Sequence, residues 1–443
     1  MRRFICLILL HLPFLLIAFS QPSTSDSVKA EFLHAWNSYK QYAWGHDALK
    51  PLSKAPHDWY TSSLVMTPVD AYDTMVLMGL SKEASEARQL ILDSLSFDRD
   101  IEVQAFEIII RLLGGLLSGY QMNGDKRFLD LAEDLGKRLL PIYNSPTGMP
   151  YRYVHLQTGM VRDAVNNPAE IGTSLLEFGT LSKLTGNPIY YEKSKRALVE
   201  LFKRRSKIGL VGTWINVETG AWTDAASHIG GAIDSYYEYL FKAWLLFGDS
   251  ECKEMWDESI TAINTYVADS ANGDLWYGQV DMNTGQRTET SFGSLEAFFP
   301  ALLSLSGDLD RAQRLEASCY KMWKIHGIEP EQLNYATMQA MDKRYFLRPE
   351  IIESAYYLYR KTGDAKYRQM GEDFIRSLRK FCRTEAGYAY LRDVTTGEKA
   401  DGMESFFFAE TLKYLYLLFA PASVLEFDKV VFTTEAHPLR KTW

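Results

Sequence analysis

Cysteine is scarce in this sequence. Only 4 of the 443 residues are Cys, and Cys6 lies in an apolar N-terminal run. The remaining Cys252, Cys319 and Cys382 are odd in number and are not spaced like zinc ligands. The sequence therefore predicts neither a disulfide framework nor a zinc site.

Positive charge is also limited, and several functional motifs are absent. The formal net charge is -8 and the pI is about 5.6, and no run of basic residues offsets this acidity. These properties argue against nucleic acid as a partner. There is no Gly-rich phosphate loop and no serine nucleophile elbow. The chain contains no N-glycosylation sequon, which favours a bacterial envelope over a eukaryotic secretory lumen.

The N-terminus has the pattern of an export signal. Arg2 and Arg3 precede an apolar run that reaches about Phe19, and Ala18 and Ser20 are placed like the small residues before a cleavage point. We expect a signal peptide over residues 1–20 and no stable membrane anchor; an uncleaved anchor is the alternative. The protein is then exported, to the periplasm or medium of a bacterium or to the secretory-pathway lumen of a eukaryote.

The rest of the chain consists of long apolar or amphipathic helical runs with few convincing strands. One turn type recurs about every 60 residues, in which Gly ends one helix and Asp or Asn caps the next. Its glycines are Gly124, Gly186, Gly248, Gly307 and Gly363. Breaks at Gly79 and Ala420 extend the series to seven units, each long enough for two helices. No Pro/Ser/Gly-rich linker interrupts residues 21–443, so we expect one all-α domain, a closed α/α toroid rather than an open superhelix.

Acidic residues stand inside these apolar runs at a similar distance before each turn. If the inner helices of a ring carry their acidic residues at the same distance from the turn, the carboxylates lie together at one mouth of the cavity. For any single acid, the plain alternative is a helix cap or an ion pair. The set comprises Glu107, Glu170, Glu177, Asp234, Glu350, Glu353, Glu404 and Glu410.

Two local patterns refine this set. Pro349 is expected at the first helical position, which places Glu350 and Glu353 in the first turn on one face, with Arg348 just outside. Arg111 follows Glu107 by four residues, so the two side chains can pair. A cavity lined by carboxylates suits glycosidic bond hydrolysis, which needs an acid and a base, or binding of a hard cation.

At this point several motifs are recognisable together. The chain resembles glycoside hydrolase family 47, the class I α-mannosidases, across essentially its whole mature length. The matching motifs are AWGHD at 43–47, VDAYDT at 69–74, FE at 106–107, RLLGGLLS at 111–118, DSYYEY at 234–239, LRPE with ES at 347–354, MESFF at 403–407 and TEAHP at 434–438.

The resemblance implies an (α/α)7 barrel and a Ca²⁺-dependent, inverting exo-hydrolase of terminal α-1,2-linked mannose. Its substrates would be high-mannose glycans or manno-oligosaccharides. By the same resemblance, Glu107 is the general acid, Glu350 is the base, and Asp234 assists the acid and its water network.

The resemblance also implies the binding residues. Arg111, Arg348, Glu353 and Glu404 would contact substrate. Thr434, on a C-terminal segment that reaches the barrel core, would bind Ca²⁺ directly. Waters held by Glu350, Glu353, Glu404 and Glu435 would complete the metal shell.

Two departures from the family pattern concern substrate binding. The sequence reads Ser294-Leu295-Glu296-Ala297 where many members have His-Leu and a Cys two residues further on, and the disulfide to a position near Cys319 is missing. Ala232 stands where some endoplasmic reticulum enzymes have Arg. These forms look more like the ER degradation-enhancing branch and some bacterial members.

Other functions stay open at this point. The departures from the family pattern are compatible with a receptor that binds mannose-containing glycans but scarcely hydrolyses them. Another α/α-toroid glycosidase, such as a glucoamylase or glucuronyl hydrolase, is disfavoured by the tail motif. The sequence does not indicate the natural glycan, the branch preference or the oligomeric state.

Overall fold

The computed structural model describes residues 24–441. The predicted signal peptide lies outside these residues. The helices are α1 (Thr24–Tyr42), α2 (Met66–Leu77), α3 (Ser81–Ser94), α4 (Ala105–Ile108), α5 (Gly114–Asn123), α6 (Lys126–Leu139), α7 (Pro168–Gly172), α8 (Leu175–Thr185), α9 (Ile189–Lys203), α10 (Asp234–Phe247), α11 (Ser250–Ala262), α12 (Phe299–Ser306), α13 (Leu309–His326), α14 (Glu350–Thr362), α15 (Lys366–Ser377) and α16 (Leu412–Phe419).

Fourteen of these helices form seven antiparallel pairs arranged in a ring, and the short helices α4 and α7 directly precede the inner helices α5 and α8. The inner members are α2, α5, α8, α10, α12, α14 and α16, and their outer partners are α3, α6, α9, α11, α13, α15 and α1. The ring closes because α1 packs against α16 and because α2 contacts the π-helical turn Phe407–Thr411 that leads into α16. The predicted (α/α)7 barrel is confirmed.

Side-chain patterns explain which helices are inner and which are outer. All eight residues of α16 are buried, as expected for a helix enclosed on every side. The outer helix α6 buries one stripe, which includes Phe128, Leu135 and Leu139, and turns charged residues to the surface. A second π-helical turn, Ile109–Leu113, joins α4 to α5 as one continuous inner helix.

The recurring turns have the conformation that their sequences predict. The five glycines have φ between 70° and 96°, which an L side chain adopts only with strain. In each turn, the Asp or Asn that follows accepts a backbone N–H of the next helix. One predicted boundary differs, because α14 begins at Glu350 and Pro349 precedes its first turn.

Strands are more numerous in the structure than the sequence indicated. In the described chain they are β1 (Ala48–Lys50), β2 (Ala55–His57), β3 (Glu102–Gln104), β4 (Tyr153–His155), β5 (Val161–Arg162), β6 (Val165–Asn166), β7 (Trp214–Asn216), β8 (Trp222–Asp224), β9 (Ala226–Ser227), β10 (Ala268–Ala271), β11 (Asp274–Tyr277), β12 (Gln279–Asp281), β13 (Arg287–Glu289), β14 (Ser291–Gly293), β15 (Gln332–Asn334), β16 (Gln339–Asp342), β17 (Arg383–Thr384), β18 (Gly387–Tyr388), β19 (Tyr390–Asp393), β20 (Glu398–Ala400), β21 (Val430–Phe432) and β22 (Pro438–Arg440).

Almost all of these strands lie at one end of the barrel. They form antiparallel sheets of two or three strands, in the orders β1-β2, β3-β4-β5, β6-β7-β8, β13-β12-β9, β10-β11, β14-β15-β16, β17-β18, β19-β20 and β21-β22. Strands β1 to β20 all occur in connections from an outer helix to the next inner helix. The N-terminal ends of the inner helices therefore open into a rim of hairpins.

The last hairpin occupies the opposite end. Strands β21 and β22 pair with Phe432 opposite Pro438, and they contact α10 and α5. The turn between them, residues 433–437, enters the barrel, where His437 is completely buried. No helix of the described residues is long and apolar enough to cross a membrane.

Candidate active site

A cavity of about 310 Å³ opens at the end where the inner helices begin. Its wall contains the side chains of three arginines, Arg111, Arg152 and Arg348, and of Thr434 from the C-terminal turn. Its acidic lining residues are Glu107, Glu170, Asp234, Glu238, Glu350, Glu353, Glu410 and Glu435. Six of the eight acids in the predicted ring thus share one cavity.

Helix geometry explains why these acids meet. Asp234 is the first residue of α10 and Glu350 is the first residue of α14, while Glu107 lies within the short helix α4. Because every inner helix begins at the same mouth, its first turn faces the same space. Free backbone N–H groups at helix N-termini also favour negative charge there.

The Glu107 carboxylate is paired with Arg111. Arg111 Nε and Nη2 both lie 3.0 Å from Glu107 Oε2, and Nη1 bonds to Glu435 and lies 3.7 Å from Asp70 Oδ2. The guanidinium also lies over the rings of Trp59 and Phe406. Although burial opposes the charge, these carboxylates raise the pKa of Arg111 above its ordinary value. Arg111 therefore stays cationic and orients Glu107.

Asp234 is placed to hold a proton near neutral pH. Burial raises the pKa of its carboxyl to about 7, and the nearby acids Glu238 and Glu296 add to this effect. Its Oδ1 accepts a hydrogen bond of 2.8 Å from the backbone N–H of Ser235, which partly offsets the shift. A carboxyl group with this pKa can donate or accept a proton near neutral pH.

Glu350 and Glu353 are shifted in the same direction. Burial raises the pKa of each carboxyl to about 8, with Arg348 opposing the shift at Glu350 and Lys242 opposing it at Glu353. Glu353 Oε1 accepts a hydrogen bond of 3.1 Å from the Tyr414 hydroxyl. Glu350 Oε2 has no hydrogen-bond partner among the described residues. Glu350 is also one of the residues that line the cavity.

The acids around Thr434 fit the calcium site that the sequence analysis predicts. Burial also raises the pKa of Glu410 and Glu435 well above the ordinary range, and each is raised further by neighbouring carboxyls. A cation beside Thr434 would favour the ionised forms. The donors are all oxygen atoms, which suits Ca²⁺. No group of three His, Cys, Asp or Glu side chains within residues 24–441 is placed to bind a metal directly, so threonine oxygens and water would have to supply the direct ligands.

The turn that carries Thr434 is anchored by buried ion pairs. His437 Nδ1 lies 2.7 Å from Asp73 and Nε2 lies 3.1 Å from Asp70, while Lys413 Nζ lies 2.7 Å from Asp73. Although burial opposes it, Asp73 raises the pKa of His437 to about 9, so the imidazole is charged at neutral pH. The ring also packs on Gly114, where an added Cβ would lie only 2.8 Å from His437 Cδ2. Asp70, Asp73, Gly114 and His437 fall within the sequence motifs without an assigned role, and Lys413 falls outside those motifs.

Two acids of the predicted ring lie outside the cavity wall. Glu404 accepts a hydrogen bond of 2.8 Å from Trp59 Nε1, at the edge of the ring on which Arg111 lies. Glu177 accepts one of 2.6 Å from the Tyr239 hydroxyl, and that hydroxyl accepts the backbone N–H of Thr434. The cavity wall also contains Glu238, which the sequence analysis did not include in the ring of acids, and Glu410, which it included without a chemical role.

Comparison with known proteins identifies the family. The model of glycosyl hydrolase family 47 matches residues 31–441. The chain belongs to this family. It is therefore a glycoside hydrolase of the family that the motifs indicated.

The relatives of this family 47 member include enzymes with named activities. It is 39% identical to the ER degradation-enhancing alpha-mannosidase-like protein 2 of Mus musculus, over 94% of this chain and 77% of the relative. It is 37% identical to a mannosyl-oligosaccharide 1,2-alpha-mannosidase of Arabidopsis thaliana, over 94% of this chain and 78% of the relative. Among solved structures, alpha-1,2-mannosidase from Trichoderma reesei matches with a TM-score of 0.88 and 29% identity, covering 95% of this chain and 100% of that one.

The departures from the family 47 pattern can now be located. Ala232 lies on the cavity wall with φ of 74°, an unusual conformation for a residue other than glycine. Its short side chain leaves open space where a longer residue would reach into the cavity. Ala297 and Cys319 are both buried, and Cys319 is a free thiol. Ser294 is fully buried behind the wall, while Leu295 reaches the cavity itself.

Proposed function

We propose that the protein is a Ca²⁺-dependent, inverting exo-α-1,2-mannosidase that removes terminal α-1,2-linked mannose from high-mannose glycans or manno-oligosaccharides. The observation that carries this proposal is one cavity that contains Glu107, Asp234, Glu350 and Thr434 together. The hairpin β21–β22 fills the other end of the barrel. A cavity with a single mouth suits removal of one terminal sugar at a time. The names of its family 47 relatives agree with this substrate.

The reaction assigns a separate role to each carboxyl group. Glu107, oriented by Arg111, gives a proton to the oxygen of the leaving sugar, directly or through a water. Asp234, whose pKa is near 7, supports that proton transfer. On the other face of the sugar, Glu350 takes a proton from a water as the water oxygen bonds to the anomeric carbon. The glycosidic C–O bond breaks, and the released mannose has inverted configuration.

Calcium would be held at the floor of the cavity. Thr434 would bind it through the hydroxyl and carbonyl oxygens, with waters bonded to Glu350, Glu353 and Glu435, and Glu410 is placed to join them. Glu404 stays a prediction as a further water-binding carboxylate, since it lies beside Trp59 rather than on the wall. When bound, the ion would supply positive charge that keeps these carboxylates ionised and fixes water and sugar hydroxyls.

The proposal includes the compartment and the partner. The expected signal peptide over residues 1–20 indicates export, and the names of several relatives place them in the endoplasmic reticulum. We therefore propose that the protein meets mannose-containing glycans outside the cytoplasm. Arg348 and Glu353, both on the cavity wall, would contact the terminal mannose.

Substitution of the two principal carboxyls tests the assignment. Glu350→Gln and Glu107→Gln each keep the side-chain shape and remove a proton-transfer group. Turnover of α-1,2-mannobiose is expected to fall by about 10²- to 10⁴-fold in each. Glu372→Gln, on the exposed face of α15, is the matched control and should keep wild-type activity.

Two outcomes would contradict the proposal. Near-normal turnover by Glu350→Gln would show that another group is the base. If the wild-type protein bound the disaccharide but released no mannose over long incubation, the protein would be a glycan receptor rather than a hydrolase.

A further inference from the structure

A buried serine stands behind the cavity wall at the position where this chain departs from the family pattern. Ser294 has no solvent exposure, and its Oγ donates a hydrogen bond of 3.1 Å to Glu331 Oε2. The same Glu331 oxygen accepts Arg348 Nε at 3.2 Å, and the other oxygen accepts Arg348 Nη2. A chain of hydrogen bonds thus leads from the core, through Glu331, to a guanidinium on the cavity wall.

The backbone around Ser294 and Glu331 is tightly constrained. Gly293 pairs with Gln332 in the β14–β15 ladder, and the N–H of Ser294 donates to the carbonyl of Glu331 at 3.2 Å. A Cβ on Gly293 would lie 2.3 Å from that carbonyl oxygen, so the close approach requires glycine. The two main chains are therefore fixed, and the freedom that remains is rotation of the Glu331 side chain. The Ser294 hydroxyl limits that rotation.

The backbone before Arg348 is also held in an unusual conformation. Leu347 has φ of 62°, in the left-handed region that a branched residue adopts only at a cost. The hydroxyl of Thr411, on the turn before α16, donates a hydrogen bond of 2.6 Å to the carbonyl of Leu347. This conformation directs Arg348 towards the cavity just before Glu350 begins α14. Both ends of the Arg348 side chain are thus set by neighbouring groups.

We propose that Ser294 is a positioning residue for substrate binding, which acts through Glu331 on Arg348. By holding Glu331 Oε2, it fixes the plane of the guanidinium that donates to hydroxyl oxygens of the terminal mannose. This inference rests on the proposed function and deepens it. It also gives a role to the serine at which this chain departs from the family pattern. Ser294 contacts Glu331, the partner of the sugar-binding Arg348, rather than the sugar itself.

Steady-state kinetics with α-1,2-mannobiose and Ca²⁺ test the inference. Ser294→Ala removes one hydrogen bond and leaves Glu331 and Arg348 in place. Because Arg348 would bind the sugar without transferring protons, KM is expected to rise about tenfold while kcat changes by less than about twofold. Ser304→Ala is the matched control, since Ser304 is equally buried and its hydroxyl donates only to Ala301 O of its own helix. This control should keep both constants.

A double substitution distinguishes action through Arg348 from a general packing defect. Lysine cannot make the bidentate contact with Glu331, so Arg348→Lys should already lack the fixed orientation of the side chain that Ser294 maintains. Adding Ser294→Ala to Arg348→Lys is expected to raise KM no further. An unchanged KM in Ser294→Ala, or an equal rise in both backgrounds, would overturn the inference.

Failure of the inference is distinguishable from failure of the proposed function. If the wild-type protein released no mannose, the same variants would be compared by calorimetric titration with the disaccharide. A tenfold weaker Kd for Ser294→Ala alone would then support the positioning of Arg348 by Ser294 and Glu331 in a glycan receptor. An unchanged Kd would overturn that inference. If the wild-type protein neither bound nor hydrolysed the disaccharide, the proposed function itself would be wrong. The inference that Ser294 positions a sugar-binding arginine would then be wrong as well.

Discussion

At the scale of single residues, an unpaired carboxyl in the core has an energetic cost. Glu316 on α13 has no solvent exposure, and neither of its carboxyl oxygens has a hydrogen-bond partner among the described residues. Burial raises the pKa of its carboxyl well above the ordinary value. The folded protein therefore holds Glu316 protonated at pH values where the unfolded chain is ionised. Its contribution to stability becomes more unfavourable as pH rises above the unfolded pKa.

We predict that Glu316→Met stabilises the protein at pH 7. Methionine has a similar volume and no polar atoms to leave unsatisfied, so the free energy of unfolding should rise by about 1–3 kcal/mol. The gain should shrink towards pH 4, where the unfolded glutamate is itself protonated. Denaturant unfolding at both pH values measures the difference. A loss of stability at pH 7 would show that the carboxyl has a structural partner.

Individual site residues were predictable where a family motif contained an acidic residue at the expected distance before a turn. Glu107, Asp234, Glu350 and Thr434 all line the cavity, although their chemical roles stay predictions. Periodicity did not separate Glu404 from Glu410. Glu404 precedes the helix and Glu410 lies within the π-helical turn Phe407–Thr411, so a 3.6-residue repeat cannot tell which acid faces the cavity.

At the scale of helices and strands, the turns were predictable and the short strands were not. Gly186 and Gly248 ended helices as expected, because a left-handed residue followed by a capping side chain is a local signal. Strands such as β5 and β9 have only two residues, which is too few for an alternating pattern. β5 pairs with the neighbouring strand β4, whereas β9 pairs with β12, which is distant in sequence.

The first helix is joined to the last connection of the ring by one carboxylate. Glu31 on α1 accepts hydrogen bonds of 2.9 Å from Arg379, 2.8 Å from Arg383 and 2.8 Å from the Tyr388 hydroxyl. Although burial opposes it, the bonds from Arg383 and Tyr388 hold the pKa of Glu31 below its ordinary value. The stabilising contribution of Glu31 is present when the pH is above the pKa of this carboxyl in the unfolded chain. It is lost as the pH falls through the lower pKa of the folded protein.

We predict that Glu31→Gln weakens the closure between α1 and the segment after α15. At pH 7 the free energy of unfolding should fall by about 1–3 kcal/mol, since charge-assisted hydrogen bonds are lost. The difference from the wild type should narrow below about pH 4, where the wild-type carboxyl is also protonated. Glu372→Gln on α15 is the control. A difference that does not depend on pH would mean that the charge of Glu31 is not what matters.

At the scale of the whole molecule, the spacing of the turns predicted seven units, whereas closure into a ring was predicted only from the lack of an interrupting linker; the structure confirms both. The spacing of the turns predicts the number of hairpins, and an open superhelix would have the same spacing. Closure depends on α1 packing against α16, from the two ends of the described chain. The tail then fills the far end of the barrel through His437, which bonds to Asp70 and Asp73 on α2. Contacts this distant in sequence leave no local pattern.

Because the proposed ion would join the tail to the barrel, calcium should stabilise the whole fold. At a free concentration a hundredfold above Kd, the gain would be about 2.7 kcal/mol, which a chelator would reverse. Thr434→Ala is predicted to remove most of the calcium-dependent rise in Tm, and Thr395→Ala, on an exposed hairpin, should keep it. A full Tm response in Thr434→Ala would place the ion elsewhere.

One measurement tests the central claim most directly: a proton NMR time course of the mature protein with α-1,2-mannobiose and Ca²⁺, repeated with a chelator. The account predicts that β-mannose is released first, that α-mannose appears later by mutarotation, and that chelation stops the reaction. Early release of α-mannose would contradict the inverting mechanism and the roles assigned to Glu107 and Glu350. Release that continues at full rate under chelation would contradict the calcium site at Thr434.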